Sequence, residues 1–165
     1  MKAEFDIRLS ARDLFEFNMY QTYTSIHGFV SILLAGIIWV MAGITANSGE
    51  VGYTLLYIAI GFLFLLYMPV TLWSRAKRTI KTNEVLSGVL HFEVTEQAIR
   101  VTQGAESGEL PWNMIYQIVA NRKHILIYSN RVNAYIIPRE QISEQYEVFS
   151  RLAKEKLEPF RLKMK

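Results

Sequence analysis

The chain has 165 residues, a formal charge of +3 and no cysteine. That leaves room for one small folded unit beside any other segment, and it excludes disulfides, thiolate metal sites and cysteine nucleophiles. The positive surplus is local, coming from Arg75, Lys77, Arg78 and Lys81, so it is no sign of a nucleic-acid partner.

Residues 4–9, EFDIRL, alternate Phe5, Ile7 and Leu9 with charged residues, the period of a half-buried strand. Ser10 followed by Asp13 is a helix-start signature, and neither Pro nor Gly intervenes before Gly28. A helix is therefore predicted from about Ala11, running unbroken into the next segment. Tyr20 and Tyr23 would settle at headgroup level.

Residues 26–46 and 51–73 contain no Asp, Glu, Lys or Arg, and only NSGE separates them. Each run is long enough for a helix to cross a hydrocarbon layer ~30 Å thick at ~1.5 Å per residue. Lipid satisfies no backbone polar group, so both must be helical, and the short link makes them an antiparallel transmembrane hairpin. Lys and Arg flank only its outer ends, which predicts both termini in the cytoplasm and Asn47–Glu50 outside. The apolar run starts too far into the chain for a cleaved signal peptide. Gly28, Ala35 and Ala42 recur every seven residues, as do Gly36 and Gly43, and Gly52 with Ala59; these small residues are the candidates for close span packing. Pro69 is a candidate bend, and Trp73 marks the inner interface. Arg75, Lys77, Arg78 and Lys81 serve as topology signal and as a candidate membrane-surface cluster for anionic lipid.

Beyond residue 84 the period becomes two. Strands are predicted at 88–94 and 98–102 about a Thr95–Gln97 turn, then a loop at 103–109, then strands at 116–120, 124–129 and 133–138 closed by Pro138. Residues 143–157 have helical spacing, with Tyr146, Phe149, Leu152, Ala153 and Leu157 on one stripe and Ser143 as N-cap. The terminal EPFRLKMK alternates Phe160, Leu162 and Met164 with Arg161, Lys163 and Lys165; it is read as a frayed tail, with an added strand or a segment lying on an anionic membrane surface as the alternatives. The fold class is thus α+β: the hairpin plus a small antiparallel sheet or barrel at 84–158, capped by a C-terminal helix. A lone strand is unstable, so residues 4–9 are expected to complete that sheet, and residues 1–25 lead from it into the first span.

No catalytic, cofactor or metal residue emerges. His27, His91 and His124 lack ligand spacing, and Glu93 and Glu96 read as a solvated pair. The strands at 116–138 are apolar on both faces, so one face needs a cover: the C-terminal helix, a second copy, or the membrane surface. Leu126, Tyr128 and Tyr135 are the candidate partner face.

The FDIRLSARDLFEFNMY start, the two close spans, the GVLHFEVTEQAIRV hairpin, the LPWNMIYQIVANRKHILIYSNRVNAYIIPRE stretch and the closing helix with Phe149 together resemble the YcxB-like family of bacterial membrane proteins. Trp112, Ile115, Tyr128 and Ile137-Pro138 are the most specific points. The resemblance implies a two-span anchor in the bacterial inner membrane carrying a pleckstrin-homology-like cytoplasmic domain, and it brings no active-site residues. The expected role is non-enzymatic, binding or regulatory, with membrane lipids and either a second copy or another membrane protein as partner. The alternatives are an oligomeric pore or transporter accessory subunit, and an anionic-lipid sensor using the basic cluster, with Arg122 and Lys123 beside it.

Overall fold

The structure, a computed structural model, describes residues 2–164 apart from the side chains of His27 and Val85. It is α+β, with two compact units: Met1–Asp13 together with Thr79–Lys165, and Leu14–Arg78.

The first unit holds two four-stranded sheets. In one, β1 (Ala3–Arg8), β2 (Val89–Val94), β3 (Ala98–Gln103) and β4 (Glu106–Pro111) lie side by side in chain order, all antiparallel. The register pairs Phe5 with Phe92 and Ile7 with Leu90. In the other, β7 (Ala134–Pro138), β6 (His124–Tyr128) and β5 (Gln117–Ala120) form a meander, and β8 (Leu162–Met164) joins β5 in parallel. Among the described residues both sheets stay open rather than closing into a barrel.

Turn chemistry explains the connections. The Thr95 hydroxyl accepts from the Gln97 and Ala98 amides, and Asn121 and Asn130 each accept two amides beyond them, the local side-chain bonds that favour tight turns. Trp112 is buried and its Nε1 donates to Thr95 O at 2.9 Å, tying the end of β4 to the first turn.

The core is held by one aromatic cluster. Phe5 and Phe92 stack at 5.5 Å, Tyr135 meets Phe92 edge-on at 5.9 Å, and Phe149 meets Phe5 edge-on at 6.4 Å. Those four rings join both sheets to α5 (Tyr146–Lys156), whose Phe149, Leu152 and Ala153 are buried. The opposite face of the first sheet is charged. Lys2 bridges Glu4 and Glu93 (2.7 Å to the latter), Arg100 lies 3.6 Å from both Glu93 and Glu109, and His91 Nδ1 is 2.7 Å from Asp6. Hydrogen bonds to Glu4 and Glu93 raise the Lys2 ammonium, and the Lys2 bond lowers the Glu93 carboxyl.

Several sequence expectations need correction. Residues 103–109 are not a loop: Gly104, with φ of 56°, opens a two-residue turn between β3 and β4, the positive φ that a glycine-first hairpin turn requires. Strand β4 lacks alternation because most of it is exposed on both faces. Ser143 is not a helix cap; a 3-10 turn at Arg139–Ile142 precedes α5. The tail takes the added-strand alternative rather than fraying, because Leu162–Met164 pairs with Ile118–Ala120.

In the second unit, α2 (Ile26–Asn47) and α3 (Val51–Thr82) are long and apolar enough to cross a membrane. The expected unbroken helix divides: α1 (Ala11–Tyr23) ends, and Ser25 caps α2 by accepting from the Gly28 amide. Helix α3 runs through Pro69 and past Trp73 to Thr82. Trp39 meets Phe62 edge-on at 5.2 Å, Phe15 meets Trp73 at 5.3 Å, and the Thr54 and Thr45 hydroxyls lie 3.0 Å apart across the hairpin.

The small residues divide by place. Ala35 and Ala42 are buried, whereas Ala59 is exposed and a Cβ at Gly36, Gly43 or Gly52 would meet open space. A Cβ on Gly28 would lie 2.2 Å from Thr22 O, so that glycine serves the α1–α2 bend rather than the two-span contact. Gly61, not singled out by spacing, is the buried glycine of α3 and sits under Trp39.

Two outcomes follow. Phe92→Ala removes the centre of the ring cluster and should lower stability by about 3–5 kcal/mol, read as faster hydrogen exchange of the β3 and β6 amides in detergent-solubilised protein. Gly28→Ala should lower the melting temperature, while Gly36→Ala should hold or raise it, since alanine is favoured over glycine in an unobstructed helix by about 1 kcal/mol.

Candidate functional site

The basic cluster forms on the last turns of α3. Arg75, Lys77, Arg78 and Lys81 are all exposed, and Lys77 Nζ lies over the Trp73 ring at 4.9 Å. Spacings of three and four residues put neighbouring cations on adjoining helix positions.

A second constellation joins the Ser10–Asp13 helix start to His124, a pairing that the sequence does not show. The chain leaves β1 through Ser10, whose amide and hydroxyl donate to Asp13 Oδ2 at 2.9 and 2.5 Å, while the Asp13 amide donates back to Ser10 Oγ at 3.2 Å. This reciprocal arrangement satisfies amides at the start of α1. The other carboxylate oxygen of Asp13 accepts from His124 Nε2 at 2.9 Å, and His124 is buried at the start of β6. Burial pushes the Asp13 carboxyl up, but the bonds from His124 and then Ser10 outweigh it and bring it down to about 2, against an ordinary 3.8. The Ser-x-x-Asp spacing is legible in the sequence; a partner 111 residues away is not.

The partner face expected from the sequence does not form as one surface. Register pairs Tyr135 with Ile127 and Ile136 with Leu126, so Tyr135 lies on the opposite side of the sheet from Leu126 and Tyr128. Tyr135 packs against Phe92, and Leu126 and Tyr128 are 1% and 5% exposed. Every residue of β6 is buried within the chain itself. Arg122 and Lys123 lie on the β5–β6 turn, where both are exposed. The His27 side chain lies outside the described residues, His91 is exposed beside Asp6, and Glu96 is exposed in its turn. Among the described residues no group of three His, Asp or Glu side chains is placed to hold a metal ion.

One open cleft of about 460 Å³ lies at the far end of the second sheet, lined by Asn113, Tyr116, Ser129, Phe160, Arg161 and Lys163 among others. Arg161 Nη1 donates to Ile115 O at 3.3 Å and reaches Asn113 O at 3.5 Å.

Residues 94–153 match the family model described as YcxB-like protein, a stretch running from the end of β2 into α5. The chain therefore carries a YcxB-like region, and that region lies wholly within the β-rich unit. No curated protein and no solved structure matches the chain.

Asp13 is expected to act as a joint. Asp13→Ala leaves the buried His124 donor without its acceptor and should cost about 2 kcal/mol. Since the folded carboxyl sits below its ordinary value, its contribution is full above 3.8 and is lost as pH falls toward about 2. Thermal melts from pH 5 to pH 2 should therefore fall less steeply in Asp13→Asn than in the native chain.

Proposed function

We propose that this is a non-enzymatic, membrane-anchored binding or regulatory protein of the bacterial cytoplasmic membrane. On this reading the two apolar helices are the anchor, both termini are cytoplasmic, and a pleckstrin-homology-like domain is presented at that membrane face. The observation carrying it is that β1 and β2 pair strand to strand although both apolar helices lie between them. Hydrogen-bonded strands share one aqueous compartment, so the intervening chain must cross a bilayer an even number of times. Two crossings meet that condition, and the basic residues after the second favour the cytoplasm as the shared side.

The order of parts supports the domain reading. A four-strand meander, a three-strand meander and a C-terminal helix follow one another, with the YcxB-like region spanning most of them. With Leu126 and Tyr128 buried, recognition falls to surfaces the unit exposes, and another membrane protein or a second copy is the class of partner the anchor favours.

The absence of native cysteine makes the topology directly testable. In intact cells an impermeant maleimide should label Ser48→Cys and spare Lys2→Cys and Lys163→Cys until the membrane is permeabilised. Labelling of positions 2 and 163 from outside, with position 48 protected, would overturn the orientation; opposite results at 2 and 163 would overturn the shared compartment.

A further inference from the structure

We propose that the cleft beside β5 and β8 receives the phosphate headgroup of an anionic lipid, with Met114, Tyr116 and Phe160 entering the bilayer surface around it. This deepens the proposed function and rests on the anchoring it assumes. Arg161 and Lys163 line the cleft, and among the described residues no carboxylate side chain does. The Arg161 guanidinium is positioned on the wall by the Asn113 and Ile115 carbonyls, and those bonds use only one of its nitrogens. The remaining donors and the Lys163 ammonium suit a phosphate, which charged donors bind most strongly.

The rim identifies which phosphate. Outside the long apolar helices and α1, the described large apolar side chains that stay exposed are Val89, Met114, Tyr116, Val132 and Phe160. Three of the five line this one cleft, and Phe160 is 71% exposed. Aromatic and long apolar side chains interleaved with cations are the chemistry of an interfacial surface, where the apolar part sinks below the headgroups. A free phosphate would leave Phe160 and Met114 in water, and an acidic peptide would find no enclosed apolar pocket for a side chain. The lipid satisfies both halves of the site. It is distinct from the basic cluster on α3, where Lys77 lies over the Trp73 ring.

The test uses the full chain in nanodiscs, with single cysteines carrying a nitroxide whose depth is read from collisions with oxygen and with a water-soluble relaxant. Position 63 (Leu63→Cys) reports the anchor, positions 114 and 160 report the cleft, and position 89 (Val89→Cys) reports an exposed apolar site outside it. In mixed phosphatidylcholine and phosphatidylglycerol discs, 63 should be immersed, 114 and 160 interfacial, and 89 in water. In pure phosphatidylcholine discs, or with Lys163→Glu, 114 and 160 should move outward by a several-fold change in the collision ratio while 63 stays immersed. Arg161→Lys, which keeps the charge, should lose less than Lys163→Glu, and unchanged melting temperatures will show that the variants fold.

If 114 and 160 remain in water in the mixed discs while 63 is immersed, the cleft proposal falls and the anchor stands. Water exposure at 63 removes the anchor itself. Equal immersion with and without phosphatidylglycerol overturns headgroup recognition. Immobilisation of the cleft labels by inorganic phosphate in neutral discs, without a gain in depth, makes a soluble phosphate the ligand instead.

Discussion

The stack of Phe5 on Phe92 is the contact on which the rest of the structure depends. Phe5 comes from the strand before the apolar helices and Phe92 from the strand after them, and their rings overlap at 15° between planes. Around that pair Tyr135 brings the second sheet and Phe149 brings α5. Aromatic pairs of this kind add about 0.5–1.5 kcal/mol beyond the area they bury. Burial itself stabilises more, since Phe92 and Phe149 are fully inside and the neighbouring Ile7, Ile99 and Ile137 with them. Without Phe5 the first sheet would lose an edge strand, one wall of its core and the ring against which α5 is seated.

A strand supplied from eighty residues away would be expected to carry a heavy entropic cost, and the cost is in fact modest. Loop closure grows only logarithmically, at about 0.6 kcal/mol for each doubling of loop length. The six residue pairs between β1 and β2, with three apolar side chains of β1 buried, can meet such a cost. Charge keeps the register from slipping, because a one-residue shift would carry Glu4, Asp6 and Arg8 into the core and Phe5 and Ile7 into water. The paired Glu4, Glu93, Arg100 and Glu109 then lie in one row across the four strands, and Lys2 separates the two adjoining glutamates.

What can be read from the sequence follows from how local each signal is. Alternation in EFDIRL marks a strand whatever it pairs with, and charge-free runs of about twenty residues mark long apolar helices. Strand β4 is invisible to such a reading because ESGELP has little to bury, and its extended form comes from pairing with β3. The break at Thr24 and Ser25 contains no Pro or Gly; its one glycine signal, Gly28, lies inside the next helix and answers to the Thr22 carbonyl. Tyr135 falls on the other face because Leu126 and Tyr128 fix a parity only within their own strand. The register across β6 and β7 decides which residue of β7 joins them, and pairing is not a local property. Asp13 with His124, and Arg161 with the 113–115 carbonyls, are hidden for the same reason.

The fastening of β1 shows why its sequence reads as it does. As an edge strand it presents unpaired amides and carbonyls, a liability in any sheet. At its last residue the Gln141 side chain closes that edge, accepting from the Arg8 amide at 2.9 Å and donating to the Arg8 carbonyl at 3.0 Å. Both groups of a neighbouring strand are thus imitated by one amide. Two residues later Ser10 and Asp13 turn the chain into α1, and His124 holds that turn to β6. The strand is therefore fixed along its length by β2 and at its exit by side chains from two other elements. Helix α1 and then the two long apolar helices follow in the chain, and any pull transmitted along it from them meets this exit before the strand. Hydrogen bonds there add to the burial of Leu9, because Arg8, Ser10 and Arg12 around it are exposed.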